Sequence, residues 1–157
     1  MTVRIRRAVV DDAPGLAQMR AKFRLADAGV DSPPSPSFLA GLESWLRDRL
    51  AGPAWLAWVA VEADGSIVGH VFLQVIEKIP KPLPGPSSIG YLTNFYVVPA
   101  LRGRGIGNAL LDELRDHARA AGLESVILWP STESVPLYRR HGYAPPTELL
   151  EMPITDS

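Results

Sequence analysis

Arg102-Gly103-Arg104-Gly105-Ile106-Gly107-Asn108 lies between two stretches of contrasting period. Before it, Ile89 to Val98 is rich in β-branched and aromatic residues, which predicts a long strand stopped by Pro99. After it, Ile106, Leu110 and Leu114, joined by Ala109 and Ala118, fall at helical spacing and predict a helix from about Gly105 to Ala121, capped by Gly122. At such a junction free backbone N–H groups and the positive end of a helix dipole converge, so the loop suits a phosphate or pyrophosphate. Glycine matters there because a Cβ would hold the anion away and because such loops often demand positive φ. The competing reading is a solvated basic turn without a ligand. Neither common nucleotide fingerprint fits. A Walker loop needs Gly-Lys followed by Ser or Thr, and the dinucleotide motif needs a glycine where Asn108 stands.

On the N-terminal side of the loop, Val3 and Ile5 alternate with Arg4 and Arg6 as in a half-buried strand, and Asp11 or Asp12 offers an N-cap ahead of Pro14. Leu16, Met19, Phe23 and Ala26 continue as a helical stripe that prolines 33, 34 and 36 bring to an end. A second helix is expected over Ser37 to Leu50, with Trp45 packing on it and Gly52-Pro53 as its stop. Trp55 to Val61 and Ile67 to Ile76 read as two antiparallel strands joined by the hairpin chemistry of Ala63-Asp64-Gly65. Prolines 80, 82, 84 and 86 keep Glu77 to Ser88 out of any ladder, and this loop, with Asp31 to Ser37, is a candidate wall of a substrate cleft.

Beyond the loop's helix, Ser125 to Trp129 reads as a strand and Ser131 to His141 as a short helix with Pro136 in its first turn. A final pair of strands is expected from Tyr143, the second over Glu148 to Ile154. The order β-α-α-β-β-β-α-β-α-β-β predicts an α/β domain on a mixed sheet. A chain of 157 residues supports one domain, residues 1–157, without a stapling metal or disulfide. No cysteine is present, so thiolate nucleophiles and sulfur-bound zinc are excluded, and no metal site is expected. A net charge of -1 supplies no field for nucleic acid or an anionic membrane. Met1 to Arg7 lacks an apolar run and no later segment approaches the roughly 20 residues of a bilayer span, so a cytoplasmic location is the expectation.

Two blocks carry a family resemblance. Arg102-x-x-Gly105-x-Gly107, preceded by Tyr96-Val97-Val98-Pro99 and followed by Ala109-Leu110-Leu111, resembles the acetyl-CoA motif of GNAT superfamily N-acetyltransferases. Ser131 to Tyr143, STESVPLYRRHGY, resembles the family segment with a Leu-Tyr pair followed by Gly-Phe or Gly-Tyr. The likeness is specific from about Ile89 to Tyr143; the N-terminal half matches in element order only.

The resemblance implies a mostly antiparallel, twisted sheet of about seven strands, helices on both faces, and strands 4 and 5 splayed apart. It implies acetyl-CoA as co-substrate, with Tyr96, Val97 and Val98 pairing with its pantetheine arm. Gly103, Arg104, Gly105, Ile106, Gly107 and Asn108 would enclose the pyrophosphate. Ser131 falls where the family often has a coenzyme-contacting asparagine, and a hydroxyl replaces only part of that bonding. Tyr138 falls where many members place the tyrosine that protonates the departing thiolate; taken alone it reads first as an aromatic packed beside Leu137, and the surrounding motif reverses that order.

No base is assigned. Thr93, Asn94 and Val126 occupy positions where family members often carry acids, leaving Glu133, Glu77 and His70 as candidates, or water. His117 and His141 read as solvated helix residues. The implied reaction is direct acetyl transfer to a primary amine, favouring a small molecule. A peptide or protein acetyltransferase and a non-catalytic acyl-CoA-binding module stay open. Homodimers are frequent among such enzymes, so a homodimer stays open too.

Overall fold

A computed structural model describes residues 2–155. One sheet, ordered β1-β2-β3-β4-β5, comprises β1 (Val3–Arg7), β2 (Trp55–Glu62), β3 (Ile67–Glu77), β4 (Ser88–Val97) and β5 (Val126–Ile127). Neighbours are antiparallel except β4 and β5, which are parallel and joined through a helical crossover. Helices α1 (Ala13–Asp27) and α2 (Pro36–Ala51) separate β1 from β2. Helix α3 (Ile106–Ala120) links β4 to β5, and the short α4 (Val135–Arg140) follows.

Period-two alternation in the strands feeds two apolar layers. Leu56, Trp58 and Ala60 of β2, with Val71 and Leu73 of β3, pack with Leu110, Leu111 and Leu114 of α3. Ala57, Val59 and Val61, with Phe72, face Leu16 of α1 and Leu46 of α2. Helices therefore cover both faces of the sheet. The Ser35 hydroxyl accepts from Phe38 N at 3.1 Å and starts α2. Asp12 precedes α1, but its carboxylate is held by Arg6 at 2.8 and 2.9 Å. That pairing and its hydrogen bonds hold the carboxyl below its ordinary pKa.

The expected seven strands are corrected to five among the described residues. Residues 144–155 form no strand. Pro145, Pro146 and Pro153 have no N–H to give a ladder, and Leu150, Met152 and Ile154 are exposed to solvent. The strand expected over Ser125 to Trp129 shortens to Val126–Ile127. It pairs with β4 only at Gly90↔Val126 and Tyr91↔Ile127, after which the two strands part. No helix among the described residues is long and apolar enough to cross a membrane.

Candidate acyl-transfer site

Where β4 leaves β5, its own geometry changes. His70 pairs with Tyr96 and Phe72 with Thr93, so the ladder to β3 skips a residue, and Asn94 takes φ 52°. This bulge turns Thr93 and Asn94 toward the α1–α2 face. His70 stabilises it from behind: its Nδ1 lies 2.7 Å from the Asn94 carbonyl oxygen, which fixes the proton on Nδ1. Nε2 is then an enclosed acceptor without a protein partner. Burial pushes the imidazole down to about 4, so it is neutral and a weak base.

Past the bulge, the Val98 N–H donates to Val68 O at 2.9 Å, while the Val97 carbonyl accepts from Arg102 Nε at 2.9 Å. Antiparallel alternation therefore directs the Val97 N–H away from β3, toward the gap left by β5. Arg102 also stacks over Tyr96, 5.3 Å from the ring centroid. It fastens the loop to the strand end.

The loop itself uses glycine in two ways. Gly103 and Gly105 take φ 78° and 84°, and a Cβ at either would meet nothing within 4 Å. Gly107 has ordinary backbone, but a Cβ there would come within 3.1 Å of Phe95 Cζ and 3.9 Å of Leu137. Its small size lets α3, β4 and α4 approach one another. The first helical bond of α3 runs from Ala109 N to Gly105 O, so the N–H groups of Ile106, Gly107 and Asn108 have no helical acceptor. Open ground at Gly103 and Gly105, three unbonded N–H groups and the exposed Arg104 suit a pyrophosphate. The side chain of Asn108 is engaged elsewhere, its Oδ1 lying 2.9 Å from His141 Nε2.

Tyr138 sits beside this junction, 7% exposed, its ring against Phe95 (5.9 Å) and Tyr143 (5.6 Å). Burial pushes its hydroxyl up to about 12, so it is protonated at neutral pH. Ser131 lies on the exposed turn before α4, its hydroxyl donating to Ser134 at 2.9 Å. Glu77 and Glu133 are exposed and lie outside the cavity described below. Two histidines depart from expectation. His141 is not solvated but bridges Asn108 and Asp112, while His117 packs on Trp58 at 5.4 Å and burial lowers its pKa.

A cavity of about 530 Å³ opens on the α1–α2 face next to the point where β4 and β5 part. Its walls include Arg20, Phe38, Trp45, Trp55, Phe72, Tyr91, Thr93 and Asn94, with no acid or histidine among them. Ser37 and Phe38 contribute from the first turn of α2, so only the end of the Asp31 to Ser37 connection reaches the cavity. The Glu77 to Ser88 loop contributes nothing and is corrected as a wall. It leaves β3 as exposed chain fastened by the Lys78–Glu124 ion pair. Arg20 and the aromatic lining were missed because residues distant in sequence meet here only through packing; the exposed Phe38 and Trp45 were the available hint.

Residues 21–143 match the acetyltransferase (GNAT) family model. The chain belongs to the GNAT acetyltransferase family. A solved acetyltransferase with acetyl-CoA from Clostridium acetobutylicum is similar to this GNAT chain at a TM-score of 0.77 and 27% identity, covering 98% of this chain and 97% of that one. A GCN5-related N-acetyltransferase from Ralstonia eutropha gives 0.73 and 30%, covering 98% and 100%. Glucosamine 6-phosphate N-acetyltransferase of Trypanosoma brucei brucei is 34% identical over 82 residues, 52% of this chain and 54% of that protein. The GNAT chain thus spans about half the length of that curated relative.

Proposed function

We propose that this GNAT chain transfers the acetyl group of acetyl-CoA to the primary amine of a small molecule. The carrying observation is that a glycine-lined helix entry with free N–H groups, a parted strand pair and a cavity meet at β4. Acetyl-CoA supplies an acetyl thioester; transfer forms an amide C–N bond and releases the free thiol. The N–H groups of Ile106, Gly107 and Asn108, with Arg104, hold the pyrophosphate. The edge of Tyr96 to Val98 takes the pantetheine arm, with the Val97 N–H as the donor facing the gap and Ser131 near the outer end. Val97 N–H is also the group placed to polarise the thioester carbonyl, since its orientation is fixed by the ladder before any ligand arrives.

Tyr138 donates to the sulfur as charge develops there. A phenol near 12 is a weaker acid than an ordinary thiol at about 8.5, so its contribution is a hydrogen bond that strengthens as the C–S bond breaks, with proton release tied to cleavage. The cavity walls hold no carboxylate, so the amine enters neutral or gives its proton to water. A volume typical of small-ligand sites favours a small acceptor over a polypeptide.

Calorimetric titration with acetyl-CoA and thiol release across a panel of amines test the reading. Gly105→Ala forces a side chain into the left-handed region and projects it onto the loop's open ground. A loss of coenzyme affinity of about tenfold or more is expected. Unchanged affinity in a folded variant rules out the loop as the pyrophosphate site, and binding without turnover of any amine leaves only a binding module.

A further inference from the structure

The cavity beside β4 contains a charge without a counter-charge. Arg20 is half-buried on α1, and among the described residues the one hydrogen bond of its guanidinium, at 3.1 Å, goes to the neutral amide oxygen of Asn94. Burial lowers its pKa and neighbouring Arg24 adds to the effect, while Tyr91 opposes them; no carboxylate is among the causes. Arg24 is itself paired with Asp27. A guanidinium has five donors in a planar fork, so most of the bonding capacity of this cavity-lining residue is left for a ligand. The other walls are mostly apolar or aromatic, with Ser37, Thr93 and Asn94 as polar exceptions: Phe38 and Trp45 are 54% and 37% exposed at the mouth, and Trp45 meets Trp55 edge to face at 5.3 Å. Exposed rings of this size around a pocket are the mark of a ligand surface.

Resting on the acetyl-transfer reading above, we infer that the acceptor is an amine bearing a carboxylate close to its nitrogen and an apolar or aromatic body, with Arg20 as the residue that selects the carboxylate. Arg20 reaches Asn94 at the bulge, so an anion on its fork lies near the strand edge where the amine must meet the thioester. The body then extends between α2 and Tyr91, toward Trp45 and Trp55. Polycationic acceptors are disfavoured because the one charged wall residue is a cation. Polyhydroxylated sugars are disfavoured because the walls supply few partners for their hydroxyls. In the reaction the amine nitrogen bonds the acetyl carbon, the C–S bond breaks, the nitrogen loses a proton, the sulfur gains one, and the carboxylate is unchanged.

The test compares kcat/KM for phenylalanine and tryptophan, phenylalaninamide, phenethylamine, spermidine and glucosamine 6-phosphate, in the wild type, Arg20→Met and Arg20→Lys. Acetyl-CoA binding by calorimetry is measured alongside. The wild type is expected to prefer the amino acids over phenylalaninamide by about 10- to 100-fold, the usual worth of a charge-assisted pair. Arg20→Met should erase that preference, lowering turnover of the amino acids far more than of the amide with coenzyme binding retained, and Arg20→Lys should keep part of it. Preference for spermidine, phenethylamine or the sugar phosphate overturns the inference. So does equal loss on acid and amide in Arg20→Met, or failure of every amine while acetyl-CoA binds. Failure of acetyl-CoA to bind the wild type refutes the acetyl-transfer reading instead.

Discussion

Tyr138 is a core aromatic, its ring against Phe95 and Tyr143, and its role as a proton donor is the part that needs a test. Tyr138→Phe keeps the ring packing and removes only the donor, so the fold and acetyl-CoA affinity should persist while kcat falls by about 10² or more. Single-turnover measurement with saturating amine checks this, and wild-type turnover would leave Tyr138 a packing residue. The motif around Tyr138 was legible in sequence. The engagements of Arg102 with Val97 and of Asn108 with His141 were not, because each joins groups whose proximity depends on how strand, loop and helix close on one another.

Among the elements, β4 carries most of the burden. It pairs with β3 along one edge, pairs with β5 for two residues, bulges at Asn94 and then presents a free edge. Gly90 is the hinge of this arrangement: a Cβ there would lie 2.7 Å from Leu73 Cδ1, 3.1 Å from Leu123 Cδ1 and 3.4 Å from Val126 Cγ2. Gly90→Val is expected to cost about 1–3 kcal/mol through overpacking. Because the site begins at the next residue, coenzyme affinity should fall with it. Urea unfolding and calorimetry together check the pair of effects; a variant as stable as the wild type would show that the junction relaxes freely. The extent of β4 was readable from its composition, but its bulge was not: asparagine tolerates left-handed backbone without requiring it, and here the His70 hydrogen bond and the shifted ladder support it.

Over the whole molecule, stability should respond to acid through His70, which lies fully buried. Its folded-state pKa of about 4 is below the ordinary 6.5, so the unfolded chain takes up the proton first. The stability present above pH 6.5 is therefore lost as pH falls toward 4, by up to about 3 kcal/mol. Asp12, whose pKa is lowered, adds its loss only below the ordinary carboxylate range, and the lowered His117 acts in the same direction as His70. Comparing urea midpoints of the wild type and His70→Gln between pH 7 and pH 4 isolates the His70 share. Parallel curves would show that His70 gains no proton preferentially on unfolding.

The sequence by itself determined the helices, the first four strands, the glycine loop and the membership signalled by two motifs, because these rest on local periodicity, turn chemistry and backbone permissiveness. Leu110 and Leu114 announce their helix without reference to anything distant, and Gly103 and Gly105 announce a loop that needs positive φ. Tertiary structure alone decided that residues 144–155 form no strand, since alternating apolar residues still need a ladder partner. It alone also placed Arg20 of α1 against Asn94 of β4, 74 residues away in the chain, because a cavity exists only where packed elements leave space between them.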